Sequence, residues 1–559
     1  MKCTILTGGT GSVSLQEGLW EMYGKSLEIC TLVNHYDNGK STGAVRKVYG
    51  GKIGGPSDIR KNQLLRAYLE DSDIELCRFL QHRFTSATPR EFVLSQLLGS
   101  SINHRKAEII RGAINHYFSQ SLASQILYED FAIGNIVYAG LAGQNGNSIQ
   151  CAADIMKELL EISADCVISD DNSLFLSAKT QSGKKILDEG QIVAWNNPHD
   201  RIIGVGFTDN KGNEASPMLS QRARNQLLNS DIIILSAGTQ WSSLIPTYEC
   251  LGFKEVISKT SAKIFMVMNG KPDFDCLGMD ANEIWNIVSP YLPTDKVCVI
   301  QNDVRENIMS NPIKHKDVWR GLICDQTGKH MPISLVTAIM GSFFKKHIDC
   351  ETFGFDWDNT IKGRRNSYTY WSKKNIEMLE SLEEDKFVCS GNTIDAISLQ
   401  NVPVFAENGL NYYYNGQKEC LNDDLLIQNI DCLINFFTTL GINYEKISNR
   451  NWAILSIKPL SVLERRLIKN IFDQSEWHFN YRCYITGTST IDIMKKDLNK
   501  GIILTYNPIK DKKICYLGDE PNGNDKVFFQ NEEIETFEVK SPKDTYIFLR
   551  TLKMIRGET

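Results

Sequence analysis

An apolar run ending in acids, Phe353-Gly354-Phe355-Asp356-Trp357-Asp358, restarts late in the chain an alternation of strand-like and helix-like segments that opens at Cys3. A chain of 559 residues exceeds the usual ~100 to 200 residues of one core, so such a restart marks a second fold. The first alternation runs from Cys3–Thr7 through a glycine turn to a helix-like Val13–Tyr23 and then Leu27–Asn34, a β-α-β opening. Apolar runs at Ile232–Leu235 and Ile264–Met268, each followed by small or polar residues, read as further parallel strands. The fold class expected is α/β, with a doubly wound, Rossmann-like domain over residues 1–330 and a connecting helix over 331–350. A second Rossmann-like core follows over 351–559, divided into 351–409 and 496–559 by an inserted α+β cap at about 410–495. Strand-like pieces at Asn411–Tyr414 and Trp452–Ile457 are assigned to that cap.

Composition removes several classes of function. Hydrophobic and charged fractions of 42% and 23% are those of a globular chain, and no segment approaches the roughly 18 apolar residues of a membrane span. The start Met1-Lys2-Cys3-Thr4-Ile5-Leu6 runs straight into Gly8 and Gly9, with no apolar stretch of signal-peptide length, so a cytoplasmic location is expected. The 15 cysteines are scattered singly, without metal-binding spacing, and read as reduced and buried. A formal charge of -6 argues against a dominant nucleic-acid surface, although Lys362-Gly363-Arg364-Arg365 is a local basic patch suited to small phosphates.

In Asp356-Trp357-Asp358-Asn359-Thr360, two carboxylates two positions apart leave one face if the strand stays extended. Phosphomonoester cleavage needs such a pair, one carboxylate to attack phosphorus and one to protonate the leaving oxygen and later activate water. Downstream, Ser390-Gly391-Asn392 follows the strand Phe387-Val388-Cys389, then comes Lys500, then Gly518–Asp525 after Ile514–Leu517. These offer a hydroxyl for a phosphoryl oxygen, a cation for its charge, and Asp519, Asn524 and Asp525 as oxygen ligands for Mg²⁺ beside Asp356 and Asp358. This order of motifs resembles the haloacid dehalogenase superfamily, in the group whose cap lies between the second and third motifs, and most nearly eukaryotic-type phosphomannomutase. Pro403–Leu410 resembles that family's lead into its cap, and Arg450-Asn451 its cap pair for a distal sugar phosphate. The second arginine expected after that pair is missing from Ser456–Val462. The resemblance implies an aspartyl-phosphate on Asp356, with Asp358, Thr360, Ser390 and Lys500 assisting.

Near the amino terminus Gly8-Gly9-Thr10-Gly11-Ser12 follows a strand and opens a helix, where backbone amides receive phosphate. The next strand delivers Asn34-His35-Tyr36-Asp37-Asn38-Gly39-Lys40-Ser41-Thr42-Gly43, and a third loop carries Pro56-Ser57-Asp58-Ile59-Arg60. Three such loops converge where α/β proteins bind ligands. His35 and His199 are candidate acid/base groups. These loops, together with Gly134-Asn135 and Ser236-Ala237-Gly238-Thr239 with Ser242-Ser243, resemble the 2-phospho-L-lactate transferase family over roughly residues 2–330. The resemblance implies a guanosine-diphosphate-linked phospho-hydroxyacid donor, Mg²⁺ and release of GMP, with Asp37 catalytic. Gly8, Gly9, Thr10, Gly11, Asn34, Lys40, Ser41, Thr42, Gly43, Asp58, Arg60, Asn135, Gly238, Thr239 and Ser242 would bind the nucleotide. The chain departs from the family where paired aspartates become Asp37-Asn38 and a glycine becomes Lys40.

Two functions follow. One is a bifunctional enzyme coupling nucleotide-dependent transfer to Mg²⁺-dependent phosphomonoester hydrolysis. The other is a sugar-phosphate phosphatase or mutase with an amino-terminal nucleotide sensor. The partners expected are small phosphorylated metabolites and a nucleotide, without nucleic acid, and a homo-oligomer is left open.

Overall fold

The computed structural model describes residues 1–304, 307–363, 367–440, 444–459, 461–486 and 490–558, so Arg364 and Arg365 of the basic patch lie outside the described residues. The chain divides into two units, Met1–Phe343 and Phe344–Thr559.

The first unit is built on seven strands: β1 Lys2–Leu6, β2 Glu28–Val33, β3 Asp165–Ile168, β4 Ile232–Leu235, β5 Lys263–Val267, β6 Val297–Asn302 and β7 Val318–Gly321. They lie in the order β7-β6-β5-β4-β1-β2-β3, every pair parallel. The inner strands are near-continuous apolar runs buried along their length, as a sheet covered on both faces requires. Apolar cores fill the unit, among them one containing Leu6, Ile233 and Met266 and another containing Val33, Ile136 and Ile168. The helix Ile133–Gln144 is apolar nearly all round and is buried from Ile133 to Ala142.

The helix expected to connect the halves over 331–350 is seen as Pro332–Phe343 followed by Lys345–Ile348. Pro332–Phe343 packs inside the first unit against Val13–Tyr23. A Cβ on Gly18 would lie 2.4 Å from the Pro332 carbonyl oxygen, so the contact depends on a bare glycine. Its apolar residues are therefore core residues and not a spacer. A small antiparallel sheet (Lys185–Ile186, Phe175–Thr180, Ile202–Thr208, Glu214–Ala215) is inserted between β3 and β4.

In the second unit the core strands are β8 Thr352–Asp356, β9 Asp385–Cys389, β10 Val404–Ala406, β11 Asn411–Tyr414 and β12 Gln417–Cys420. The cap strands are β13 Tyr444–Arg450, β14 Ile454–Pro459, β15 Tyr481–Thr486 and β16 Thr490–Lys495. The chain then returns to the core in β17 Ile514–Gly518 and β18 Glu535–Glu538. The core order is β12-β11-β10-β9-β8-β17-β18 and the cap order β13-β14-β16-β15. The cap sheet is antiparallel and buries Leu455, Ile457, Ile491 and Ile493 against Leu433, Phe437, Ile468 and Phe472 of two helices, a core of its own.

Asn411–Tyr414 was expected in the cap and is instead a core strand, antiparallel to β10 with Tyr412 opposite Phe405. The cause is the turn Asn415-Gly416, both left-handed at φ 48° and 79°, which closes β11 and β12 into a hairpin at the sheet edge. The cap sheet therefore begins later than residue 410.

All fifteen cysteines are free and twelve are buried. Among the described residues no helix is long and apolar enough to cross a membrane.

Candidate functional sites

β1, β2 and β4 end at one level, Leu6 standing opposite Leu32 on one side and Leu235 on the other. The strand order turns back between β1 and β4, so the loops after these strands meet over the crevice where ligands of such sheets bind. The loops touch through glycine. A Cβ on Gly8 would lie 2.5 Å from Ser243 Oγ, on Gly9 2.4 Å from Asp58 Oδ1, and on Gly11 2.0 Å from the Ala237 carbonyl oxygen. Thr10 is exposed between them.

Asn34 Nδ2 donates to the Ser243 carbonyl at 2.5 Å, and the Thr239, Ser242 and Ser243 hydroxyls form a chain of 2.7 Å bonds. Gly238, at φ 151°, donates its N–H to Asn269 Oδ1 at 2.9 Å. Asn62 Nδ2 clamps the first and third loops, donating to the carbonyls of Gly8 (2.9 Å) and Asp58 (2.8 Å). The second loop is tied by Thr42 Oγ1 to Ser57 Oγ at 2.5 Å, and by Asn135 Nδ2 donating to Ser41 Oγ at 3.0 Å. A Cβ on Gly43 would strike the Asn38 carbonyl at 2.0 Å.

Several residues differ from their expected parts. Arg60 is buried and spends Nε on Asn135 Oδ1 at 3.0 Å, whereas the half-exposed Lys61 beside it pairs with Asp58 at 3.3 Å. Lys40 is exposed, left-handed at φ 43°, and lines a rim pocket with Ser41, Leu127 and Phe131. His35 is a packing group: its Nε2 meets the Asn172 carbonyl at 2.9 Å, Gly54 presses on its ring, and burial lowers its pKa to about 4. His199 is exposed and its backbone N–H donates to Asn197 Oδ1.

Asp37 Oδ1 accepts from the Gly39 N–H at 2.8 Å. Beside it stands Glu189, which the sequence did not single out. Its backbone N–H donates to Asn38 Oδ1 at 2.8 Å, and burial followed by the adjacent Asp37 charge pushes its carboxyl up to about 9. Burial also raises the Asp58 carboxyl, against the pull of Lys61. This edge of the crevice thus gathers three carboxyl groups that act on one another, Asp37, Asp58 and Glu189, with Lys61 paired to Asp58.

In the second unit β8 ends at Asp356, flanked by β9 and β17, whose following loops carry Ser390–Asn392 and Asp519–Asp525. The buried Lys500 Nζ lies 2.6 Å from Asp356 Oδ1 and 2.7 Å from Asp525 Oδ1. Tyr516 OH donates to Asp525 Oδ1 at 2.8 Å, and Asn359 Nδ2 to Asp519 Oδ2 at 2.6 Å. One carboxylate oxygen from each of Asp356, Asp519 and Asp525 lies within 4.8 Å of the others.

Burial, with Asp525 and Asp519 adding to it, pushes the Asp356 carboxyl well above the carboxylate range against the pull of Lys500. Burial would lower the Lys500 ammonium, but Asp356 and Asp525 outweigh it and hold the charge on. Three carboxylates around one ammonium leave an excess of negative charge, and an all-oxygen donor set of this kind fits a hard divalent cation such as Mg²⁺.

Asp358 turns away from this trio. Its Oδ2 accepts from Asn392 Nδ2 at 2.6 Å and its Oδ1 lies 3.3 Å from the buried Lys362 Nζ. The strand ends at Asp356 and the chain turns at once, with the Ile361 and Lys362 N–H groups both donating to the Trp357 carbonyl at 3.1 Å. Asn524 is exposed, and its backbone N–H points to Glu520 Oε2 at 3.5 Å. Ser390 is buried with Oγ accepting from the Asn392 N–H at 3.0 Å, and Thr360 keeps a buried Oγ1 without a hydrogen-bond partner. From the cap, Arg450 NH1 donates to the Gly391 carbonyl at 3.1 Å and Asn451 Nδ2 to Glu407 Oε1 at 2.6 Å.

Among proteins of known sequence, a "Putative gluconeogenesis factor" of Streptococcus pneumoniae is 26% identical over 268 residues, 48% of this chain and 67% of that one. One of the same description from Aquifex aeolicus is 23% identical over 262 residues, 46% of this chain and 65% of that one. A solved structure of a UPF0052 family member from Bacillus halodurans covers 61% of this chain and 98% of its own, with a TM-score of 0.45 and 17% identity. Trehalose-6-phosphate phosphatase of Aspergillus fumigatus covers 38% of this chain and 96% of its own, with a TM-score of 0.28 and 13% identity. At these scores the structural likenesses assign no activity. The family model of 2-phospho-L-lactate transferase CofD matches residues 3–314, more than half of the chain, and the protein belongs to that family.

Proposed function

We propose that the chain is a bifunctional enzyme of phosphorylated metabolites, with an aspartyl-phosphate phosphatase in its second half and nucleotide-dependent transfer in its first. One observation carries the phosphatase reading: Lys500 bridges Asp356 and Asp525 at 2.6 and 2.7 Å at the end of β8, within a trio of carboxylates. Asp356 attacks phosphorus and the bond to the leaving oxygen breaks as that oxygen takes a proton from Asp358. Water then attacks the phosphoryl-aspartate, giving a proton back to Asp358, and inorganic phosphate leaves. Ser390 Oγ and Lys500 Nζ hold the phosphoryl oxygens and their charge. Asp356, Asp519 and the Asp358 carbonyl would hold Mg²⁺, which would supply charge neutralisation at the phosphoryl group, while Asp525 fixes Lys500 beside them.

In the first half the glycine contacts form a cradle for a phosphate-bearing ligand, read as a guanine nucleotide carrying a phospho-hydroxyacid, with Asp37 at the reacting phosphate. A sensing role is the second reading, favoured by Asn38 in place of a second aspartate. The buried free thiols suit a reducing compartment, so a cytoplasmic location belongs to the proposal.

The full-length Asp356→Asn protein tests both halves. It should lose phosphate release yet bind guanine nucleotides like the parent, and the parent should need Mg²⁺ and be blocked by beryllium fluoride. Phosphate release by Asp356→Asn at more than a few per cent of the parent's rate would refute the phosphatase reading. GMP released from a guanosine-diphosphate-linked donor by Asp356→Asn would favour transfer, and binding without GMP release would favour sensing.

A further inference from the structure

The helix after the third loop lays a cation on the first glycine loop. Lys61 Nζ stands 3.3 Å from Asp58 Oδ1, and the two ends meet over Gly9, where a Cβ would lie 2.4 Å from that oxygen and 2.7 Å from Nζ. Gly9 must stay bare for the pair to form there. The register of the pair on the loop is fixed by the next residue, Asn62, which donates to the Gly8 and Asp58 carbonyls and accepts from Gln16 Nε2 at 2.9 Å. The Lys61 side chain is 41% exposed and that of Asp58 16%, so the ammonium stays open to the crevice. Asp58 is its one hydrogen-bond partner among the described residues, which leaves two of its three donors for a ligand.

This is a poor place for a cation unless an anion joins it. Helix Ser57–Leu69 opens without a side-chain cap, and Lys61 lies about one turn from that positive end. An open pair of residues three apart contributes little to stability, so Asp58 alone does not account for the lysine. The other cations of the second and third loops are committed elsewhere. Arg46 is buried and donates to the carbonyls of Tyr36, Asp37, Ile53 and Leu174. Arg60 packs its Cδ against Gly134 and gives its Nε to Asn135, and Lys40 lines the rim pocket. A phosphate entering this edge meets the carboxyl groups of Asp37, Asp58 and Glu189, and of these four cations Lys61 is the one whose charge stands on the glycine loop to offset them.

We propose that Lys61 is the residue that holds the ligand's phosphate in the first unit, and that Asp58 latches it until the ligand arrives. The ammonium leaves Asp58 for a phosphoryl oxygen, and this contact needs no divalent ion. The inference deepens the nucleotide reading of the first half and rests on it. Because the latch and the phosphate compete for one ammonium, removing the Asp58 charge should tighten binding.

The test is calorimetry on the full-length protein in chelator, with GDP as the ligand and inorganic pyrophosphate as its competitor. The parent should bind GDP, and pyrophosphate should displace it. Lys61→Met should weaken both about tenfold or more, as on losing a charge-assisted hydrogen bond, and Lys61→Arg, which keeps the charge, should recover most of the loss. Asp58→Asn should tighten both by about threefold or more. A pair that merely braces the loop would behave otherwise, with Lys61→Met and Asp58→Asn weakening binding alike. GDP affinity unchanged in Lys61→Met, a loss that Lys61→Arg does not relieve, weaker binding by Asp58→Asn, pyrophosphate that fails to displace GDP, or GDP binding by the parent only after Mg²⁺ is added would overturn the inference and leave the nucleotide reading standing. No GDP binding by the parent with or without Mg²⁺ would overturn the nucleotide reading beneath it.

Discussion

Above β1 and β4 the site walls are main chain, with Gly8, Gly9 and Gly11 set against Ser243, Asp58 and the Ala237 carbonyl, and their hydrogen bonds coming mostly from hydroxyls and amides. Above β8 and β17 the walls are charged side chains, with Asp356, Asp519 and Asp525 gathered around Lys500. Both sites sit at the ends of parallel strands, where the fold delivers loops. On the proposed reading the materials suit the tasks: the glycine loops would receive a phosphate-bearing ligand, whereas a buried carboxyl group beside a fixed ammonium would be the one that attacks phosphorus. The two halves should therefore fail in different ways when perturbed.

The largest expected effect falls on the charged site. Lys500→Met leaves two buried carboxylates facing each other without their cation, so the second unit should lose about 3 to 5 kcal/mol of stability. Phosphate release should fall by roughly 100- to 1000-fold, as on losing one fixed donor at the developing charge. Chemical denaturation with intrinsic fluorescence, read beside a phosphate assay, checks both. Unchanged stability would mean that Asp356 and Asp525 do not depend on this cation.

A pH titration separates the units by a group that belongs to packing. Burial lowers the His35 pKa to about 4 from an ordinary 6.5. As pH falls, the unfolded chain takes up the proton first, so the stability held by the neutral ring is complete above about 6.5 and is lost progressively down to about 4. The loss should approach 3 kcal/mol, at about 1.36 kcal/mol per unit of pKa difference. Denaturant midpoints measured in chelator should show this slope for the first unit, and His35→Gln should flatten it.

The smallest effect is geometric. Gly11→Ala puts a methyl group 2.0 Å from the Ala237 carbonyl oxygen and forces the first and fourth strand loops apart. About 1 to 3 kcal/mol of stability should be lost, as in overpacking elsewhere. Guanine nucleotide affinity, measured by calorimetry, should drop about tenfold or more while phosphate release stays near the parent's. Equal nucleotide affinity would show that the cradle is not where the nucleotide sits.

How far these sites could be read from the sequence follows the range of the forces that build them. Strands such as Ile232–Leu235 are legible because burial on both faces demands a continuous apolar run, and the glycine loops because a strand ending in glycines before a helix has few other uses. Asp356, Asp519 and Lys500 are legible as strand-end or loop groups in a fixed order. Glu189 is not, because it lies in a short helix of the inserted sheet, 151 residues from Asn38, and only the fold brings its carboxyl group beside Asp37. Arg60 reads as a phosphate-binding guanidinium, yet Asn135 claims its Nε from 75 residues away, a pairing that no local pattern announces. The hairpin of β11 and β12 carried its own signal in Asn415-Gly416, but the tyrosines before it suit a cap strand or a core edge equally well.

The central claim is that Asp356 carries the phosphoryl group. An enzyme quenched during turnover of a good monophosphate ester and treated with borohydride has its acyl phosphate reduced to an alcohol, which converts the aspartate to homoserine. Peptide mass spectrometry should find homoserine at position 356, and none there when substrate is omitted. Turnover without homoserine at 356, or homoserine at 358 in its place, would contradict the account.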